Sequence, residues 1–237
     1  MSGLGRYYEL DVSCAGEPDP QTGYLIDIRQ IDRVVRDALV PLIAEACVLE
    51  PQIHPARLLP SLMGAICDSP IRGIVEAVRW RLTPYYSVEM AVARTNRAIM
   101  RLKFDFAAAH RLHVPGLSDE INRTIFGRCN NPNGHGHNYQ IEVAVAVPLD
   151  ERRTTPTVAQ VEQLVDAILL KPFDHKHLNL DTPEFAPEVG LNPSVENIAR
   201  VFFDRLAGPL ADAFEGAELA SMTVWETDRT CCTFPAS

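Results

Sequence analysis

Between residues 135 and 147 the chain alternates with a period of two. Tyr139, Ile141, Val143, Val145 and Val147 share one parity, and His135 and His137 extend the same series. Successive side chains of a strand point to opposite faces, so the pattern predicts a strand over about 136–147 with both histidines on its apolar face. An earlier run, with Leu102, Phe104, Phe106 and Ala108 in register with His110, predicts a strand over about 98–112. The stretch 118–133 between them reads as a loop. The period then changes. Val158, Val161, Leu164, Val165, Ile168 and Leu169 fall at helical spacing and predict a helix over 158–170. A second helix begins at Asn192-Pro193, a cap residue followed by proline in the first helical position, and continues through Val195, Ile198, Ala199, Phe202, Phe203 and Leu206. Strands over 219–227 and 230–234 complete the series.

The first part of the chain repeats most of this order. Residues 8–14 read as a strand similar to 139–145. Gly23–Asp27 leads into a helix with Ile28, Ile31, Val34, Val35, Ala38, Leu39 and Leu42 at helical spacing. His54-Pro55 opens a second helix, as Asn192-Pro193 does, and Val78-Arg79-Trp80-Arg81 parallels Thr223-Val224-Trp225-Glu226. Placing Tyr8 on Tyr139 sets Leu4-Gly5-Arg6 where His135-Gly136-His137 stand, and Arg81 where Glu226 stands. The expectation is two domains, 1–96 being a degenerate copy without metal ligands and 97–237 the catalytic one. Coincidence among αβ patterns is the alternative.

Composition narrows the setting. With 46% hydrophobic and 22% charged residues the chain reads as an ordinary globular protein. A formal charge of −9 argues against a nucleic-acid surface. It also requires any anionic ligand to find a local basic pocket. The start of the chain carries no apolar run suited to secretion, and no stretch is apolar for long enough to span a bilayer, so the expectation is a cytoplasmic protein without a membrane partner. The six cysteines show no disulfide-scaffold spacing and are expected as thiols. Cys14, Cys47 and Cys67 are read as small packed hydrophobes.

The candidate chemistry lies in His110, Cys129, His135 and His137. If the two histidine strands pair, three imidazoles meet at one point on a rigid sheet. Three histidine ligands suit a catalytic Zn2+, whose fourth position is left open, better than a structural one.

These residues carry a resemblance to the 6-pyruvoyltetrahydropterin synthase family. Phe106–Leu112 resembles its first metal-ligand strand, and Phe126–Tyr139 its cysteine and His-Gly-His block. Lys171–Asn179 resembles its Asp-His block, Pro193–Ala199 its helix start, and Val224–Thr227 its pterin-anchoring strand. The blocks run in family order from about residue 101 to the C-terminus. The five residues between Cys129 and His135 resemble the pyruvoyl-forming branch more than the 6-carboxytetrahydropterin synthases of the queuosine pathway, where the gap is typically shorter.

The resemblance implies an α+β tunnelling fold, an antiparallel sheet with two helices on one face, here as two tandem copies in a barrel-forming homo-oligomer. Closure would remove exposed sheet edges. It implies a lyase that converts 7,8-dihydroneopterin triphosphate to 6-pyruvoyltetrahydropterin and triphosphate. The alternatives are 6-carboxytetrahydropterin synthesis from the same substrate, or a non-catalytic zinc-stabilised assembly module. Zn2+ on His110, His135 and His137 would act as a Lewis acid. Cys129 is expected as a base, or else as a fourth ligand closing a structural site. Asp174 would orient His175 as an acid–base pair. Glu226 is expected to accept from the pterin edge, with Glu196, Ser194 and Thr227 also binding substrate. Ser194-Val195 departs from the family pattern, where a threonine often stands beside this glutamate. Arg111, Arg128 and Lys176 could each contact phosphate or be solvated charges, and Arg6 or Arg81 could contribute from the first half. His177 matches no block and reads as a surface residue. His54 and His113 read as structural or exposed.

Overall fold

The computed structural model describes residues 9–150 and 152–236. By residue contacts the chain divides into two units, 1–101 with 146–155, and 102–145 with 156–237.

The first unit opens with strand β1 (Glu9–Cys14) and passes through α1 (Ile28–Val34), a π-helical turn (Val35–Leu39), α2 (Val40–Leu49) and α3 (Pro55–Cys67). Strands β2 (Val75–Thr83), β3 (Tyr86–Ala91) and β4 (Arg97–His110) follow. β2 lies antiparallel between β1 and β3, and β3 neighbours β4. His54 caps α3, its ring accepting from the Ala56 N–H at 3.2 Å, which gives this histidine a structural task. Leu39, Ile43, Leu59, Leu62, Val78 and Val88 are buried between helices and strands. Arg81, which the sequence pattern sets against Glu226, is engaged by Asp11 at 2.8 Å and is not a spare cation. Cys67 is exposed rather than packed. Tyr8 and Leu4-Gly5-Arg6 lie outside the described residues.

In the second unit, α4 (Asp119–Phe126) occupies what reads as loop in the sequence. Ser118 caps it by accepting from the Ile121 N–H, and Asp119 and Glu120 in its first turn complement the helix dipole. β5 (His135–Pro148) follows, then α5 (Val158–Val165), a second π-helical turn (Asp166–Leu170) and α6 (Lys171–Phe173). Next come β6 (Lys176–His177), α7 (Leu178–Asp181), α8 (Val195–Ala213), β7 (Glu218–Thr227) and β8 (Thr230–Phe234). β5 lies between β4 and β7, with β8 antiparallel beyond β7 and the short β6 parallel to β4. The apolar face anticipated for β5 is the core face. Tyr139, Ile141, Val143, Val145 and Val147 are fully buried.

α8 starts two residues later than the sequence suggests. Asn192 is occupied elsewhere, its side-chain oxygen accepting from the His113 N–H at 2.8 Å. Ser194 therefore becomes the cap and accepts from the Asn197 N–H. Phe202 on α8 packs against Phe106 and Phe173, with ring centroids 5.4 and 4.8 Å apart.

The two units share a detail beyond element order. The helical stretch after β1 in the first unit and the one after β5 in the second each run into a five-residue π turn, and a proline (Pro41, Pro172) follows in the first turn of the next helical piece. Proline lacks an N–H and its ring crowds the preceding turn, a known cause of such local widening.

Candidate metal centre

Two neighbouring strands bring the three histidines together. His110 is the last residue of β4, while His135 and His137 begin β5 on one face. One nitrogen from each lies within 4.8 Å of the others. His110 is fully buried. Its Nδ1–H donates to the Pro193 carbonyl at 2.8 Å, which fixes the tautomer and leaves Nε2 as a bare lone pair. The Tyr139 hydroxyl oxygen lies 3.3 Å from the same Nδ1. His110 Nε2 faces His135 Nε2 at 3.2 Å. Glu226 Oε1 closes in at 3.3 Å from His110 Nε2 and 3.5 Å from His137 Nε2.

Lone pairs and a carboxylate converging on one point call for a cation. His137 Nε2 is buried without a hydrogen-bond partner, a state that costs about 1–3 kcal/mol unless something fills it. Imidazole nitrogens tetrahedrally bound to one Zn2+ at about 2.0–2.1 Å sit roughly 3.3 Å apart. The His110–His135 pair is already at that separation. Burial pulls His110 down to about 4, against the Pro193 hydrogen bond that favours its charge, and neighbouring histidines lower it further. Burial also lowers His137, more than the Glu226 charge raises it. Both are therefore held neutral, the form a metal ligand needs.

Cys129 stands outside the three-histidine group. It sits in the 3₁₀ turn after α4, half-buried, and the Leu112 N–H donates to its carbonyl at 2.8 Å. Burial pushes its thiol up, and the Glu226 charge adds to this. Burial, with Glu226 and Cys129 adding, also raises the Tyr139 phenol, which stays protonated.

Asp174 and His175 form a built pair. Asp174 Oδ2 holds His175 Nδ1 at 2.8 Å, while its Oδ1 accepts from the Ala107 N–H at 2.8 Å. Burial would raise the Asp174 carboxyl, but these hydrogen bonds prevail and lower it. His175 adopts a left-handed φ of 57° and its N–H donates to the Ala107 carbonyl. Its ring is 83% exposed and lines the same opening as His137.

The remaining expected residues are more dispersed. Ser194 Oγ serves as the α8 cap. Glu196 lies exposed in the first turn of that helix. Thr227 ends β7, where its hydroxyl accepts from the Arg229 N–H at 3.2 Å. His113 is structural, in contact with Asn130 Nδ2 at 3.1 Å. His177, expected at the surface, is half-buried. Its Nδ1 is buried and its ring packs on Gly134, directly before His135. Nothing in the local sequence indicates that approach, which joins segments forty-three positions apart. The roles of Pro193 and Tyr139 beneath His110 also escape the sequence, although Tyr139 shares the face of His137.

The fold has counterparts among known proteins. Residues 99–237 match the family described as 6-pyruvoyl tetrahydropterin synthase. The 6-pyruvoyl tetrahydrobiopterin synthase of Homo sapiens is 35% identical over 136 residues, covering 57% of this chain and 89% of that protein. The putative Caenorhabditis elegans 6-pyruvoyl tetrahydrobiopterin synthase is 34% identical over 134 residues, covering 54% of this chain and 88% of that protein. The solved structure of the C. elegans 6-pyruvoyl tetrahydropterin synthase superposes with a TM-score of 0.51 at 30% identity, covering 60% of this chain and 96% of that one. Residues 1–98 lie outside the family match. With more than half of its length matched, and with His110, His135 and His137 all inside the matched part, the chain belongs to the 6-pyruvoyl tetrahydropterin synthase family.

Proposed function

We propose that this chain is a zinc-dependent lyase that converts 7,8-dihydroneopterin triphosphate to 6-pyruvoyltetrahydropterin and triphosphate. The observation that carries this reading is the pinned His110, whose Nδ1–H is committed to Pro193 so that Nε2 meets His135 Nε2 at 3.2 Å beside Glu226. His110, His135 and His137 would hold Zn2+, which supplies Lewis acidity toward the hydroxyl oxygens of the substrate side chain.

The protein's own groups would divide the remaining work. Cys129, half-buried and pushed up by burial and by Glu226, forms a strong base once it loses its proton. Asp174 fixes His175 through Nδ1, so His175 Nε2 is the atom that takes or gives a proton at the opening shared with His137. Glu226 would turn a carboxylate oxygen to the amino and ring N–H edge of the pterin, with Thr227 next to it on β7 and with Ser194 and Glu196 at the start of α8 as further substrate contacts. A buried carboxylate that finds no such donors is left unsatisfied, so rings lacking them are rejected.

We also read the first unit as a degenerate copy within a homo-oligomer, with one metal centre per chain. The shared element order and the paired π turns with their prolines support this. The match to 6-pyruvoyl synthases favours the pyruvoyl product.

Zinc-loaded protein incubated with dihydroneopterin triphosphate, with products identified by mass spectrometry, tests the reading. Release of 6-pyruvoyltetrahydropterin is expected. Acetaldehyde with a 6-carboxy product would reassign the reaction, and no turnover despite bound zinc would support a structural module.

A further inference from the structure

Two openings flank the imidazole cluster, and they differ in charge. One, beside His137, carries His175 and Lys176. The other, about 580 Å³, has His135 in its wall together with Arg111, Arg123 and Arg128. We infer that these three arginines seat a polyphosphate chain, so that the triphosphate of the substrate lies at the opening walled by His135, while the Asp174–His175 pair works at the other opening. The inference rests on the pterin-synthase reading for the identity of the substrate, but not for the existence of the anion site.

The chain carries a formal charge of −9, and several of its arginines are paired with carboxylates. Arg29, Arg79, Arg101 and Arg205 each reach a carboxylate. Arg111, Arg123 and Arg128 have no carboxylate within ion-pair distance among the described residues. One acid, Asp119, lies on the same wall, so three positive charges face one negative. Arg111 Nε is moreover buried without a hydrogen-bond partner, and its Nη2 meets only the His113 ring at 3.3 Å. A buried guanidinium donor without an acceptor lacks its ligand.

The backbone that carries each of the three is held in place. The Asn179 side chain clamps the Arg111 backbone, accepting from its N–H at 2.7 Å and donating to its carbonyl at 3.1 Å. Asn122, fully buried, ties α4 and hence Arg123 to Val114, Leu117 and Ser118. Asn130 donates to the Leu112 carbonyl at 2.7 Å and fixes the turn that carries Arg128. Guanidinium groups are always charged and match phosphate oxygens two at a time. Three of them along one wall fit a chain of phosphates better than a single one. Lys176, a basic neighbour in sequence, belongs to the other opening and is excluded from this role.

The test is calorimetric titration of the full-length, zinc-loaded protein with inorganic tripolyphosphate, with zinc content measured afterwards, and the same titration on metal-free protein because the ligand chelates metal. Binding is expected in both forms. It should weaken roughly tenfold or more in Arg123→Ala and in Arg128→Ala, as for a lost hydrogen bond between charged groups. It should recover partly in Arg123→Lys and stay unchanged in Lys176→Ala, with circular dichroism confirming that each variant folds. No binding to the native protein, equal affinity for orthophosphate, or equal losses in Lys176→Ala would overturn the assignment. A protein that binds tripolyphosphate through these arginines yet does not transform the pterin keeps this inference and refutes the synthase. A working synthase with an unchanged KM in the arginine variants does the reverse.

Discussion

The carbonyl of Pro193, one residue before the cap of α8, accepts a hydrogen bond from His110 Nδ1 at 2.8 Å. A helix start thereby sets the tautomer and aim of an imidazole at the end of a strand eighty-three positions away. Contacts of this kind position metal ligands and tune their basicity. No substitution of Pro193 can remove a backbone carbonyl, so the candidate metal centre depends on the path of the chain into α8.

His135→Ala is expected to lose both bound zinc and activity. Cys129→Ala should keep stoichiometric zinc and lose turnover by about 10²-fold or more, as for a removed acid–base group. Metal analysis beside steady-state kinetics separates the two roles. Zinc lost with Cys129 would make that residue a ligand.

Gly134 precedes His135 with φ at 70°, and a Cβ there would stand 2.5 Å from His177 Nε2 and 3.0 Å from the His110 carbonyl oxygen. Gly134→Ala therefore meets strained backbone and a clash together. A stability loss of about 1–3 kcal/mol is expected from the backbone alone, with weakened zinc affinity because His135 must shift. Gly127, also at positive φ but with open space around its Cβ, is the control. Gly127→Ala should lower stability without touching zinc, as denaturation and metal competition would reveal.

Glu89 predicts the acid response of the first unit. It lies between Arg79, at 2.5 Å, and Arg101, at 3.1 Å. Burial raises its carboxyl, but the Arg101 and Arg79 charges and hydrogen bonds outweigh that and lower it below its ordinary 4.5. A carboxyl with a depressed folded value contributes fully above 4.5 and loses its contribution as pH falls below it. Glu89→Gln should cost on the order of 1–3 kcal/mol at neutral pH and flatten the acid limb of a urea-denaturation series. An unchanged limb would show that the pair has no net effect.

A fragment starting at residue 97 contains every candidate catalytic residue. It also contains 146–155, which makes its contacts in the first unit and includes the buried Ala146 and Val147. Removing 1–96 strips those residues of their packing, so the fragment is expected to aggregate in gel filtration. A soluble, fully active fragment would leave the first unit without a structural task.

Periodicity reached the parts of this molecule where one face is buried. β5 and α8 follow their patterns because Ile141, Val143, Ile198 and Phe202 each fill the core. α4 escaped it because its apolar residues Ile121 and Ile125 are exposed, so the usual link between spacing and burial fails there. Its signal was chemical, in Ser118-Asp119-Glu120. The start of α8 was misplaced because which of Asn192 and Ser194 caps it is settled by a distant claim on Asn192 from His113. Three metal-site histidines were legible from parity. The packing of His177 and the grouping of Arg123 with Arg111 were not, since each depends on how separate segments meet.

The left-handed backbone of His175 has a bearing on engineering. A non-glycine residue with φ of 57° is under strain and persists because Ala107 binds both Asp174 and the His175 N–H. Glycine or asparagine would relax that position. A library ranked by thermal tolerance would thus favour replacing the imidazole, and the most heat-resistant clones at this codon should be among the least active. Improving durability here calls for selection on turnover and melting together.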